Sequence, residues 1–278
     1  MTENKEQMSK TKAFLRLFRF SRTLMAAAIT GSAAFTAGTG PVTALWLALA
    51  GWCLAVGGFS LSAYARQRSQ EKKTEDLIAP ALKIVFFLVF TAASFAVTFL
   101  TAPLTALIPW GLILIIVICL SFQLFKDAIV RTFLIGLLHA LHMLMGFAAG
   151  TLNPKLALPA AMLFFAVFAA RGVIDIRNFP EDLMTRKLTL PKRLGMTKTV
   201  ILSIICLTLA YVSGIVFYFV AKPGFLYLIP IGILVLTGAV CVVRFVKKAG
   251  PPMARKLTPF FTTITVLLIC LSLILGKL

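Results

Sequence analysis

Residues 171–195 read RGVIDIRNFPEDLMTRKLTLPKRLG, a polar stretch set between two long apolar segments. Within it Asp175, Asn178 and Asp182 are spaced i, i+3, i+7, which on a continuous helix places all three on one face. Two carboxylates and an amide on one face outline a metal-binding or anion-binding surface. Pro180 interrupts that helix, because it has no N–H to donate and disfavours helical backbone at Phe179. A break or kink is expected there, and the Asp175–Asn178 pair is the part of the face expected to survive it. The other reading of the same charges is a solvated cytoplasmic loop without a ligand.

The segments on either side fix the class of protein. Of 278 residues 60% are hydrophobic, and the mean hydropathy is +0.97, where a soluble domain has an apolar share of about half or less. A hydrocarbon core about 30 Å thick takes roughly 20 apolar residues per helix. Runs of that kind recur over approximately 22–39, 43–63, 82–101, 103–124, 129–150, 156–174, 199–220, 224–243 and 258–276. They do not alternate as barrel strands would. The first, rich in Ala, Gly, Ser and Thr, suits close helix packing. Thr101-Ala102-Pro103 and Ala221-Lys222-Pro223 are short connections that predict two helical hairpins.

A net charge of +19 raises nucleic acid as a partner, and its distribution argues against that. Lys and Arg concentrate in the N-terminal arm and in the connections around 66–83, 126–131, 171–198 and 244–256, and every acid from Glu3 to Asp182 falls on the same side. By the positive-inside rule these connections and the N-terminus are cytoplasmic, as in a multi-pass protein of the cell membrane. An ionic substrate is therefore expected at that face. Residues 1–21 are expected to form a cytoplasmic arm and an interfacial helix, with Arg16, Arg19 and Arg22 toward anionic lipid. Residues 22–278 are expected to form one transmembrane domain. Cys53, Cys119, Cys206, Cys241 and Cys270 all fall in apolar spans, without a CxxC, and read as small core residues.

The 171–195 stretch resembles the second aspartate-rich motif of the UbiA superfamily of intramembrane prenyltransferases, D-x-x-D-x-x-x-D followed by Thr-Leu-Pro and Leu-Gly. The matching positions are Asp175, Asn178, Asp182, Thr189, Leu190, Pro191, Leu194 and Gly195, with asparagine in place of one aspartate. The start of the first span is also similar, with Arg19 matching and Phe20 and Thr23 standing where the family has Pro and Asn. The resemblance implies an all-α integral membrane fold, with about nine transmembrane helices around a central cavity opening to the cytoplasmic side. The first motif of the family, N-D-x-x-D-x-x-x-D, has no counterpart. Anchored on Asp76, its polar positions fall on Ser62, Ala63, Arg66 and Gln70.

What the resemblance implies chemically follows from that difference. Family members hold Mg²⁺ between two carboxylate motifs against the diphosphate of an allylic substrate, as hard cations require oxygen ligands. Here a single ion on Asp175 and Asp182 is the most the residues support, with Asn178 beside them. Arg66 and Arg68 stand where acids are missing, either to contact phosphate directly or to anchor the loop to membrane lipids. Lys126, Arg131, Arg171 and Lys187 are further candidates for binding the substrate, positive-inside anchoring being the alternative for Arg131. His139 and His142 lie three apart on one face of the fifth span, without a nearby acid, and read as packing or a substrate hydrogen bond before a metal site. The last hairpin and the final span carry no polar constellation. The expected function is transfer of a polyprenyl group from its diphosphate to an acceptor. The alternative is a non-catalytic relative that binds a prenyl phosphate or another lipid. A transporter is disfavoured because the spans are otherwise clear of charge.

Overall fold

The computed structural model describes residues 20–69, 79–150, 153–184 and 188–277, with the side chains of 20, 21 and 66–69 left out. Every regular element among them is helical. In chain order these are α1 (Phe20–Thr36), α2 (Pro41–Ser69), α3 (Pro80–Thr101), α4 (Leu107–Ser121), α5 (Ala128–Phe147), α6 (Ala157–Arg177), the short α7 (Phe179–Leu183) and α8 (Leu190–Leu194), α9 (Met196–Ala221), α10 (Leu228–Lys247), α11 (Pro251–Pro259) and α12 (Thr265–Lys277). A π-helical turn, Phe260–Ile264, joins α11 to α12. Among the described residues eight helical segments are long and apolar enough to cross a membrane; each of the nine expected runs coincides with a helix, the first of them, α1, not being among the eight. The last span begins at Pro251, seven residues before the expected start, because Pro251 and Pro252 suit a first helical turn that has no use for their missing N–H.

The bundle is organised on α1 and α6. Helix α1 packs against α2, α5 and α12, while α6 packs against α5, α9 and α11. Small residues permit the α1–α5 crossing. A Cβ at Gly146 would lie 2.3 Å from the Thr30 carbonyl oxygen, so the two backbones touch where no other residue fits. Large apolar side chains such as Leu45, Leu100, Phe219 and Leu236 are left exposed on the outside, as a lipid-facing surface requires. The two helices of each expected hairpin are adjacent in sequence, yet α3 packs chiefly on α2, α4 chiefly on α5 and α9 chiefly on α6. The five cysteines are free.

Asp127 caps α5, its Oδ1 accepting from the N–H groups of Ile129 (2.8 Å) and Val130 (3.1 Å). Its Oδ2 is ion-paired with Arg193 of α8. That contact ties the start of α5 to the polar connection after α6.

Candidate functional site: a buried carboxylate beside a cationic cavity

Helix α6 stops at Arg177, and Asn178 takes the non-helical angles φ −90°, ψ 1°. Pro180 occupies the first turn of α7. The expected break therefore falls between the two aspartates, so they do not share one continuous helical face. Both are nonetheless buried, Asp175 fully and Asp182 with 6% exposure. The Asn178 Oδ1 turns aside to accept from Arg177 Nε at 3.0 Å.

The Thr-Leu-Pro turn is built onto Asp175. Thr189 is extended, Pro191 lies in the first turn of α8 and donates nothing, and the Leu190 N–H is directed at Asp175 Oδ2, 3.3 Å away. Gly195 then takes φ +83°, a left-handed conformation that favours glycine, and turns the chain into α9. The Thr-Leu-Pro and Leu-Gly spacing is thus a device for wrapping α8 over one carboxylate.

Two guanidinium groups meet the same carboxylate. Arg171 Nη2 lies 3.0 Å from Asp175 Oδ1, and Arg131 Nη2 lies 3.9 Å from Oδ2. The Arg171 contact is close but poorly aligned, making it an ion pair without a formal hydrogen bond to Oδ1. Asp182 interacts electrostatically with Arg131 as well. Arg131 Nε, Arg131 Nη2 and Arg171 Nε are buried donors with no hydrogen-bond partner among the described residues. Unused buried guanidinium N–H groups are costly, and an oxyanion is the ligand that satisfies them.

Beside this cluster lies a cavity of about 460 Å³, lined by residues of α1, α2, α4, α5, α6 and the α11–α12 region. Arg22, Arg171 and Arg177 contribute charge to its wall, while Leu54, Phe59, Val117, Ile135 and Val167 contribute apolar surface. Among the described residues that line it none is acidic. Ser62, at a position of the absent first motif, lines the wall with its hydroxyl 2.8 Å from that of Ser121.

These residues do not fit a magnesium ion as they stand. Mg²⁺ asks for octahedral oxygen donors, usually one or two carboxylates completed by water and phosphate. Asp175 already faces two guanidinium groups and a backbone N–H, so a divalent ion there would be crowded against positive charge. Among the described residues no group of three His, Cys, Asp or Glu side chains is arranged to hold a metal.

The other candidates divide clearly. Arg131 and Arg171 meet at Asp175, and Arg171 reaches the cavity. Lys126 is exposed in the connection before α5 and is not among the lining residues. Lys187 and the side chains of Arg66 and Arg68 lie outside the described residues. Sequence reasoning left Arg22 as a lipid anchor and read no polar feature in the last span, yet Arg22, Thr258, Thr262 and Thr263 all line the cavity. The available signal was Pro259 set inside a run of threonines, since proline removes a helical hydrogen bond and the chain widens there into a π turn.

An all-helical membrane bundle with a buried aspartate under a Thr-Leu-Pro turn, and an apolar cavity with a cationic wall, defines the class. The sequence model of the UbiA prenyltransferase family matches residues 74–266, well over half of the chain, and this protein belongs to that family. A solved structure of a digeranylgeranylglyceryl phosphate synthase is similar over 97% of this chain and 99% of its own, with TM-score 0.77 and 17% identity. A UbiA homolog from Archaeoglobus fulgidus bound to DMAPP and Mg²⁺ is similar over 94% and 98%, with TM-score 0.68 and 15% identity. An apo UbiA homolog from Aeropyrum pernix K1 is similar over 92% and 95%, with TM-score 0.69 and 14% identity. The comparison with curated proteins finds no match. The chain is accordingly a multi-pass, prenyltransferase-like membrane protein.

Proposed function

We propose that this protein moves a prenyl group from its diphosphate to an acceptor, with the isoprenoid tail in the apolar cavity and the diphosphate at the Arg22, Arg171 and Arg177 end. One observation carries the reading: Arg171, whose buried Nε has no hydrogen-bond partner among the described residues, stands with Arg22 and Arg177 in the wall of a largely apolar cavity. The volume of about 460 Å³ is within the range of small-ligand sites, and isoprenoid ligands in solved relatives agree with the choice of substrate class. The basic end is assigned to the cytoplasm, with the N-terminus on that side.

Loss of diphosphate leaves an allylic cation and concentrates negative charge on the departing oxygens. Fixed guanidinium groups in a water-poor site stabilise that charge as it develops. In this reading Asp175 is a positioning residue. It orients Arg171 and Arg131 and holds the Leu190 turn in place, while Asp182 adds a second negative charge near Arg131.

A second reading, a non-catalytic protein that binds a prenyl phosphate, is favoured by the absence of any acid among the described lining residues. Purified protein incubated with geranyl diphosphate separates the two. Release of diphosphate that is lost in Arg171→Gln supports the transferase. Thermal stabilisation without release supports the binder. Neither stabilisation nor release overturns both.

A further inference from the structure

His139 and His142 have no part in the phosphate end, although both line the cavity. Each Nδ1 lies 2.8 Å from the backbone carbonyl oxygen four residues earlier, Ile135 for His139 and Leu138 for His142. A carbonyl only accepts, so in both rings Nδ1 carries the proton, and in the neutral imidazole Nε2 is left with its lone pair. His142 is 4% exposed, and its Nε2 is buried without a hydrogen-bond partner. A buried acceptor with nothing to accept from is a lasting cost in an apolar wall. Valine or leucine would line the same wall without it.

Their place in the bundle is informative. Residues three apart on a helix share a face and are offset by about 4.5 Å along the axis. His139 is within electrostatic reach of Arg22, so it adjoins the cationic wall, and His142 lies one turn further along α5. A molecule that has an apolar body and an O–H group fits this wall, with the O–H donating to an imidazole nitrogen and the body against the surrounding aliphatic side chains. A phosphate does not, since an oxyanion offers the lone pair no proton.

We infer that His139 and His142 form a second subsite in the cavity, which receives the hydroxyl of an alcohol through their Nε2 lone pairs. The assignment rests on the proposed function in one respect: in a transferase this alcohol is the acceptor substrate, held next to the departing diphosphate. The hydrogen-bonding claim itself stands without any transfer.

The test uses the full chain in detergent and two probes, farnesol and farnesyl methyl ether, which share a chain and differ in having a proton to donate. Titrations followed by thermal stability are expected to give an apparent affinity about fivefold tighter for farnesol, the worth of one net hydrogen bond. In His139→Phe/His142→Phe the preference is expected to vanish while the ether still binds. His142→Gln, which keeps an acceptor oxygen, is expected to retain part of it. Equal affinity for the two probes in the wild-type protein overturns the inference without recourse to any variant, as does a preference that survives in the double variant. Geranyl diphosphate serves as the parallel probe. If it fails to bind while farnesol is still preferred, the phosphate reading falls and the alcohol subsite stands.

Discussion

The ends of α2 and α6 are the two places where the resemblance leads one to expect facing clusters of aspartates, and here they differ in kind. At the end of α6 a carboxylate remains, fully buried, beneath a turn that gives it a backbone N–H and between two arginines. At the end of α2 the described wall offers a serine hydroxyl paired with another serine. A cavity with acids at both ends has negative walls that attract divalent cations. Among the described residues the acid is kept at one end only, and kept against guanidinium groups; on the proposed function such a positive wall favours the phosphate itself. On the proposed function, the surviving aspartate serves as counter-ion for the arginines rather than as a metal ligand.

Changes at the α6 end are expected to be the most damaging. Asp175→Ala leaves two partly buried arginines without their counter-ion, a change that costs about 3–5 kcal/mol for a buried pair. Chemical unfolding of the purified variant checks it, and a loss below about 1 kcal/mol would show that the carboxylate does not hold the cluster together. Asp175→Asn keeps an oxygen for the Leu190 N–H and is expected to cost less than Ala. Next in size is Arg171→Gln, which removes one charge-assisted contact to the ligand and should weaken geranyl diphosphate about tenfold or more. Calorimetric titration reads it directly.

The α2 end permits the converse experiment. Ser62→Asp restores one acid to the cavity wall, and diphosphate binding in that variant is expected to fall severalfold in chelator and to recover on adding Mg²⁺. If binding instead improves in chelator, the wall is not governed by positive charge. The smallest effect is predicted for Ser62→Ala, which removes one hydroxyl contact worth about 1 kcal/mol or less and should leave diphosphate affinity unchanged within twofold.

The helical bundle was legible because each span carries its own signal, a run of about 20 apolar residues, and the α6 break was legible because Pro180 acts locally. The Asp175–Leu190 contact joins residues fifteen apart and was visible only as a Thr-Leu-Pro spacing; nothing in the chain said that Pro191 would leave the Leu190 N–H as the donor. Arg171 and Arg131 were named, but their convergence depends on α5 and α6 lying side by side. Arg22 was missed for a physical reason: a lipid anchor and a cavity arginine have the same sequence signature at a helix start, and only the packing of α1 against α5 and α12 distinguishes them. The threonines of the last span were missed because Thr258 and Thr262 satisfy their hydroxyls on the helix's own carbonyls. From the sequence they were indistinguishable from ordinary span residues.

If guanidinium groups hold the phosphate end of the ligand, geranyl diphosphate binds without a divalent cation, which a titration in excess EDTA decides. The ligand is expected to raise the thermal stability of the wild-type protein to the same extent in EDTA and in Mg²⁺, and Arg171→Gln to abolish most of that rise in both. Stabilisation that appears only with Mg²⁺, or that persists undiminished in Arg171→Gln, would contradict it.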